Sequence, residues 1–133
     1  MYVGMDKQLA RIESVSLEIE DHGILTCDVL LNKESGSHQS FGGYCLDGYD
    51  EKLKRRVGTA GGLDWILRLM QIFNVNKLEK LKGKMCYALY DTPYKRFSSQ
   101  IIGLESLNID GGGSFLISDW QKQWFPQERE NKK

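Results

Sequence analysis

The sequence predicts an α+β domain: a mostly antiparallel sheet of about six strands, in the order βββ-α-βββ, packed on one main helix. Three observations predict this class. Apolar and polar residues alternate over residues 11–31 around a turn at 21–23, which is typical of a β-hairpin. Residues 58–73 have the apolar period of a helix. Alternation returns from Met85 onward, so strands are expected on both sides of the helix.

Length and composition favour one domain over residues 1–133, with a loose leader at 1–8 and a disordered, charged tail at 126–133. Eighteen basic residues balance eighteen acidic ones, so no overall field attracts nucleic acid or an anionic membrane. No apolar run approaches the roughly 20 residues that span a bilayer. We therefore expect no membrane partner.

The three cysteines are widely spaced, and each stands in an apolar, strand-like run: Cys27, Cys45 and Cys86. An odd number of such residues favours buried, reduced thiols over a disulfide framework. Reduced thiols, together with the lack of a secretory leader, predict a cytoplasmic protein.

The register of the first hairpin can be chosen from its apolar face. A two-residue loop at His22-Gly23 would place Leu17 opposite Asp28. A three-residue loop instead pairs Leu17 with Cys27, and likewise Ile19 with Leu25 and Val15 with Val29. Only the three-residue loop keeps one face wholly apolar, so it is the predicted register.

A third strand is predicted over residues 38–46. Phe41 would lie across from Val29, and Cys45 across from Leu25, which continues the apolar face. The pair Gly42-Gly43 weakens a strand interior and marks a bulge or a close backbone approach. We expect the helix to cross the sheet at this pair.

The helix carries two apolar stripes, so most of its circumference must be covered. The first stripe consists of Leu63, Ile66, Leu67, Met70 and Phe73, and the second of Trp65, Leu69 and Ile72. The first is expected to lie on the sheet. The second is expected either under the later strands and Trp120 or at the surface, where it would meet a partner.

The remaining segments are read from their composition. Residues 47–57 are polar and are expected to be an exposed loop, and 76–81 a short helical turn. Strands are expected at 85–90, about 97–107 and 114–117, separated by turns at 91–94 and 110–113. Trp120 and Trp124 stand at helical spacing and are expected to dock the C-terminal part of the chain.

A basic run precedes the glycine-rich start of the helix: Lys52, Lys54, Arg55 and Arg56, followed by Thr59. Free N–H groups at a helix start favour anions, so these residues could contact the phosphate of a nucleic acid or nucleotide. The run lacks the spacing of a phosphate-binding loop. The alternative is that Thr59 caps the helix and the basic run is a solvated loop.

Tryptophans supply the second candidate surface, made of Trp65, Leu69, Trp120 and Trp124, which would anchor a protein partner if exposed. Catalytic chemistry has weaker support. His22 and His38 are the only candidates for proton transfer near neutral pH, and a small hydrolase could use them with Asp28. No spacing of a metal motif and no catalytic set is found, so no catalytic residue, metal or cofactor is predicted.

Five segments resemble a family of small phage and prophage proteins. They are residues 11–14 (Arg-Ile-Glu-Ser), 20–26 (Glu-Asp-His-Gly-Ile-Leu-Thr), 39–44 (Gln-Ser-Phe-Gly-Gly-Tyr), 58–61 (Gly-Thr-Ala-Gly) and 124–125 (Trp-Phe). The similarity covers about residues 10–125. This chain departs from the family in a less glycine-rich approach to Phe41, a charged stretch at 50–56 and a charged tail. That family has no established biochemical activity, so the resemblance implies a bacterial host cell rather than a mechanism.

Together these features predict a non-enzymatic binding module of phage or mobile-element origin. By analogy with other small phage proteins, it would modulate a larger host or defence complex, such as a nuclease or CRISPR-type protein or nucleoprotein assembly. The alternatives are a nucleic-acid-binding accessory protein that uses the basic run, and a small metal-dependent hydrolase or nuclease. Open sheet edges also allow a homodimer.

Overall fold

A computed structural model describes residues 5–95 and 99–126 of the chain. In these ranges the strands are β1 (Met5–Ile19), β2 (Leu25–Lys33), β3 (His38–Gly42), β4 (Asp47–Asp50), β5 (Arg55–Gly58), β6 (Met85–Asp91), β7 (Gly103–Ser106) and β8 (Ser114–Leu116). The helices are α1 (Ala60–Ile72) and α2 (Ile117–Trp124), with short 3-10 turns at Leu78–Leu81 and Asn108–Asp110.

Six of the strands form one antiparallel sheet in the order β3-β2-β1-β6-β7-β8. They correspond to the six predicted strands, three before α1 and three after it, and the α+β class is confirmed. Two elements were not predicted. The segment expected to be an exposed loop at 47–57 contains the separate β4–β5 hairpin, and the C-terminal tryptophans lie on the helix α2.

The predicted register of the first hairpin is confirmed. Val15 pairs with Val29, Leu17 with Cys27 and Ile19 with Leu25. Gly23 has φ of +78°, which is the left-handed conformation that closes the three-residue loop. The coverage of this apolar face differs from expectation, because Leu17 is 48% exposed and Ile19 is 74% exposed. The helix therefore sits over the other end of the sheet and leaves the hairpin tip open.

Strand β1 is longer than predicted and joins the two parts of the sheet. Met5 pairs with Asp91 of β6, so residues 5–8 are part of the sheet and not a loose leader. The second half of β1 pairs with β2, and the register shifts between Ile12 and Ser14, where Glu13 is the extra residue of a β-bulge. Strand β1 thus pairs with β6 mainly through its first half and with β2 mainly through its second half.

The first stripe does not lie on the sheet as a whole, although Phe73 at its end is fully buried. The second stripe is covered, which is one of the two alternatives predicted for it. Trp65 and Leu69, of the second stripe, are fully buried, whereas Leu63 and Leu67, of the first, are exposed. The Trp65 ring stacks on Phe41 at 5.6 Å between centroids and meets Phe115 edge-on at 5.4 Å. Aromatic packing against the two edge strands of the sheet, β3 and β8, decides which stripe of the helix faces inward.

The later strands are shorter than predicted. Within the described residues, β7 begins at Gly103, and the expected strand start at Phe97 lies outside them. The tail at 127–133 also lies outside the described residues. The turn at Leu78–Leu81 is confirmed as a 3-10 turn, and β6 lies where a strand was predicted. None of the helices in the described part of the chain is long and apolar enough to cross a membrane.

All three cysteines are free thiols. Cys27 and Cys86 are buried as predicted, and burial raises the pKa of these thiols to about 11 and about 12. Cys45 is exposed, which corrects the prediction that it faces the core. The reason lies in the backbone that precedes it.

Candidate binding cleft between the two helices

A cleft of about 610 Å³ opens where the start of α1 meets α2. Its volume is within the range of pockets that hold small ligands or short peptide segments. It is lined by Tyr44, Cys45, Asp47, Thr59, Ala60, Gly61, Trp120, Gln121, Trp124 and Phe125. Three parts of the chain build it: the segment after β3, the first turn of α1, and α2 with the residue that follows it.

The first wall exists because β3 ends at two glycines. Gly42 and Gly43 have φ of +133° and +80°, and a Cβ on Gly42 would lie 2.1 Å from the carbonyl oxygen of Cys27. The Gly43 N–H donates to that same oxygen at 3.0 Å. The close approach predicted for this pair is thus to β2 and not to the helix. The chain leaves the strand here, so Cys45 does not pair with Leu25, and Leu46 donates its N–H to the Leu25 carbonyl instead.

Tyr44 follows this turn and forms part of the aromatic floor. Its ring lies 6.4 Å from the Phe41 ring and 6.0 Å from the Trp120 ring. Burial raises the pKa of the Tyr44 phenol, which is therefore neutral at physiological pH. Its hydroxyl makes no hydrogen bond to another described residue, so it is free to bond a ligand.

The first turn of α1 is fixed against the segment after β3. The Thr59 hydroxyl accepts a bond from the Gly62 N–H and donates one to the Leu46 carbonyl, each at 2.9 Å. Thr59 is therefore the N-cap, as the alternative interpretation predicted. Gly62 packs so tightly that a Cβ there would lie 1.8 Å from the Leu46 carbonyl oxygen. The close crossing expected at Gly42-Gly43 is thus at Gly62.

Helix α2 supplies the opposite wall through its two tryptophans. The Trp120 indole N–H donates to the carbonyl of Gly61 at 2.7 Å, in a buried position. The Trp124 N–H donates to Asp64 at 2.9 Å, and its ring lies against Gly61, where an added Cβ would be 3.1 Å away. The Phe125 ring meets Trp120 edge-on at 5.2 Å. The lack of a side chain at Gly61, in the first turn of α1, is what lets the Trp124 side chain approach the helix backbone this closely.

The rim of the cleft holds an ion pair and an exposed thiol. Arg56 binds Asp47 through two bonds, Nε to Oδ2 at 2.8 Å and Nη2 to Oδ1 at 2.9 Å. The Arg56 guanidinium holds the pKa of Asp47 at about 2, and the Leu25 N–H also donates to this carboxylate. The Cys45 thiol donates to the Asp47 carbonyl at 3.0 Å and lies 3.5 Å from Nη2 of Arg56.

This arrangement suits an uncharged, apolar ligand. Four of the ten lining residues are aromatic, and Asp47 is the only charged residue among them. Because Arg56 neutralises Asp47, the cleft presents no net charge to a ligand. The hydroxyl of Tyr44 and the amide of Gln121 remain as polar groups that can orient an apolar guest.

Two of the five residues predicted to contact an anion have partners within the protein. Arg56 is held by Asp47, and Thr59 is engaged as the helix cap. The other three cations, Lys52, Lys54 and Arg55, are exposed on the β4–β5 hairpin beside two acidic residues, 50 and 51. The Asp50 carboxylate accepts two backbone N–H bonds of the turn at 2.8 and 2.9 Å, so it organises the hairpin tip.

The predicted partner surface is not at the surface. Trp65 and Leu69 are fully buried and Trp120 is 2% exposed, so α2 and the later strands cover the second stripe. Trp124 is half-buried and lines the cleft. Of the four predicted residues, Trp124 and the edge of Trp120 contribute to a site that a partner can reach.

The two histidines are not brought together. His22 lies in the β1–β2 loop, next to the start of β2, and His38 pairs with Asn32 near the end of that strand. At about 3.3 Å per residue, the length of β2 separates them by roughly 20 Å or more. The two imidazoles therefore do not share a site. Among the described residues, no group of three or more His, Cys, Asp or Glu side chains could hold a metal ion.

Of the ten lining residues, the sequence predicted three as site residues: Thr59, Trp120 and Trp124. The seven that it missed are Tyr44, Cys45, Asp47, Ala60, Gly61, Gln121 and Phe125. A signal was present, because three short segments singled out in the sequence, residues 39–44, 58–61 and 124–125, each contribute to this cleft. Comparison with protein-family models, curated proteins and solved structures finds no match to this chain.

Proposed function

We propose that this protein is a non-enzymatic binding module that takes an apolar or aromatic side chain of a protein partner into the cleft between α1 and α2. The observation that carries the proposal is a cleft of about 610 Å³ that has four aromatic side chains among its ten lining residues and whose single lining charge is neutralised. A volume of this size holds one large side chain with its flanking backbone.

A protein guest fits this chemistry better than a nucleotide. A phosphate would need unpaired cations in the cleft, and Arg56 at its rim already holds Asp47 in two hydrogen bonds. A buried apolar anchor surrounded by polar groups is the usual centre of a protein interface. Trp124, Phe125 and Tyr44 would contact such an anchor, and the Tyr44 hydroxyl and Gln121 would bond its backbone.

The resemblance to phage proteins supports the choice of partner. A phage or mobile-element module of this kind would act on a host or defence complex, such as a nuclease or CRISPR-type protein or nucleoprotein assembly. The anchor would then be an exposed aromatic or large aliphatic residue on that complex. Binding would modulate the complex without chemistry by this chain.

Panning a displayed library of random peptides tests the proposal without knowledge of the partner. Two variants place the same indole on exposed positions of α1: Ala60→Trp fills the cleft, and Leu63→Trp lies outside its lining. We expect the wild-type protein and Leu63→Trp to enrich peptides that share an aromatic or large aliphatic residue. Ala60→Trp should lose that enrichment while it retains the wild-type circular dichroism spectrum.

Two results would overturn the proposal. Enrichment that Ala60→Trp leaves intact would show that the cleft is not the binding site. Salt-dependent RNA or DNA binding that is lost on replacing Lys52, Lys54 and Arg55 with Ala, with no apolar consensus in the peptides, would favour the nucleic-acid alternative.

A further inference from the structure

The second half of β1 has a free backbone edge. Strand β6 pairs with β1 as far as Arg11, and two further bonds join Ile12 to Lys84 and Gly83. Beyond the bulge at Glu13, residues 14–19 pair with β2 on one side and have no backbone partner on the other side among the described residues. The turn at Leu78–Leu81 also contacts β1.

The hydrogen-bond pattern of β2 identifies the backbone groups that face this edge. The carbonyl of Cys27 accepts from Gly43 and that of Leu25 from Leu46, so both point away from β1. In an antiparallel pair, residues directly opposite each other point their N–H and C=O groups either both inward or both outward. Leu17, which is opposite Cys27, therefore points its N–H and C=O to the free edge.

The N–H and C=O groups of Val15 and Ile19, which are opposite Val29 and Leu25, point in the same direction as those of Leu17. Three N–H and three C=O groups thus face the edge, and they belong to the residues with apolar side chains. Leu17 and Ile19 leave 48% and 74% of their surface exposed. Open backbone groups beside exposed apolar side chains form a template for an added strand.

We propose that this edge pairs with the same edge of a second copy of the chain, antiparallel and centred on Leu17. In that register Leu17 lies opposite Leu17, and Val15 lies opposite Ile19 of the second copy. All outward N–H and C=O groups of both copies then pair. The two six-stranded sheets become one continuous sheet with one apolar face.

Neighbouring registers are worse in backbone pairing or in charge. Centring on Glu18 places that carboxylate opposite its own copy and leaves Val15 opposite the loop residue Asp21. Centring on Ser16 pairs Leu17 with Val15 but leaves Ile19 opposite the bulge at Glu13. The Leu17 register places Glu18 opposite Ser16 of the second copy, so like charges do not meet. The surface contains none of the residues that line the cleft, and the proposal stands apart from the proposed function.

Sedimentation velocity over a wide concentration range tests the association. We expect a monomer–dimer equilibrium that Leu17→Lys weakens by about tenfold or more, because two ammonium groups would then face each other across the pair. Leu63→Lys replaces an exposed leucine on α1 and should leave the equilibrium within about twofold of wild type. A protein that is monomeric throughout, or a dimer unaffected by Leu17→Lys, would overturn the proposal.

Cysteine crosslinking tests the register in full-length chains that carry Cys45→Ser. Opposite residues of a hydrogen-bonded antiparallel pair have Cα atoms about 5.5 Å apart, which a disulfide can bridge. Leu17→Cys should therefore form a crosslinked dimer on mild oxidation. Ile19→Cys is more exposed but would lie about 13 Å from its copy and should not crosslink. Equal or stronger crosslinking by Ile19→Cys would exclude this register.

Discussion

Two adjacent glycines in the first turn of α1 allow a test of how closely this helix packs against the segments around it. A Cβ on Gly61 would meet the Trp124 side chain at 3.1 to 3.3 Å, whereas a Cβ on Gly62 would meet the Leu46 carbonyl oxygen at 1.8 Å. Gly→Ala gains up to about 1 kcal/mol of helix propensity at each position. The two substitutions therefore differ in what must move.

The structure sets the size of the difference. Real Cβ contacts are essentially never below 3.0 Å, so Gly62→Ala must push the helix away by roughly 1.2 Å, the gap between the two distances. A displacement of this size separates Trp65 from Phe41, and a gap of 0.5–1 Å already forfeits about a quarter to a half of a dispersion contact. We expect Gly62→Ala to lose about 3 kcal/mol or more of unfolding free energy, net of the propensity gain.

Urea and thermal unfolding followed by circular dichroism measure these changes. Gly62→Ala should lower Tm by roughly 10 °C or more. Gly61→Ala should change it little, because the Trp124 side chain needs to move by only a few tenths of an ångström. Gly58→Ala, with no atom within 4 Å of its added Cβ, is the control for the loss of glycine itself. A Gly62→Ala protein as stable as Gly61→Ala would refute this seating of α1.

Three further predictions concern polar groups of the cleft rim, the α2 dock and the core. The folded-state pKa of Asp47, about 2, is below its ordinary value. The Asp47 carboxylate therefore stabilises the folded state above about pH 4, and this stabilisation is lost as pH falls toward 2. Asp47→Asn should lower the free energy of unfolding by about 1–2 kcal/mol at pH 7. If Arg56 is the partner of Asp47, the variant should also lose the dependence of the urea unfolding midpoint on pH in this range. Trp120→Phe should lose about 1–2 kcal/mol, because the buried bond from the indole N–H to the Gly61 carbonyl would be lost, and a melt unchanged from wild type would contradict that bond. Lys33 is 5% exposed, and its Nζ donates to Gln39 at 3.0 Å and to Tyr94 at 3.2 Å. Lys33→Met should therefore lower the free energy of unfolding by about 1–2 kcal/mol in thermal melts, because these acceptors lose their donor, and a melt unchanged from wild type would contradict those bonds.

The hairpin register was predictable because local alternation has one consistent solution. The apolar residues of β1 lie opposite apolar residues of β2, as in Leu17 opposite Cys27, only if the loop has three residues. Alternation does not say what covers that face, which depends on where the helix lands far along the chain. The free tip at Leu17 and Ile19 could therefore not be read from the hairpin sequence.

The helix bounds were predicted to within two residues, but its orientation was not. Period alone cannot choose between two apolar stripes of similar length. The choice is made by contacts from distant segments: Trp65 between Phe41 and Phe115, and Gly62 against Leu46. A glycine that permits such a contact looks the same in sequence as one that merely starts a helix.

The cleft was the least predictable feature, since its walls lie far apart in the chain. Composition made the segment 47–57 look like a solvated basic loop, because the pairing of Asp47 with Arg56 depends on a hairpin register. Cys45 was placed in a strand because the positive φ at Gly42 and Gly43 was not anticipated. Those two backbone conformations redirect Tyr44 and Cys45 from the sheet to the cleft.

The Trp120–Gly61 bond joins the last helix to the first turn of α1, and the cleft lies along that junction. Any guest that occupies the cleft must contact both elements, so it can bind only while α2 is docked. By mass action, occupancy then raises the free energy of undocking α2 by RT ln(1 + [L]/Kd). Amide hydrogen exchange in α2 would then slow by the factor 1 + [L]/Kd, so the exchange rate of this short helix would report the occupancy of the cleft.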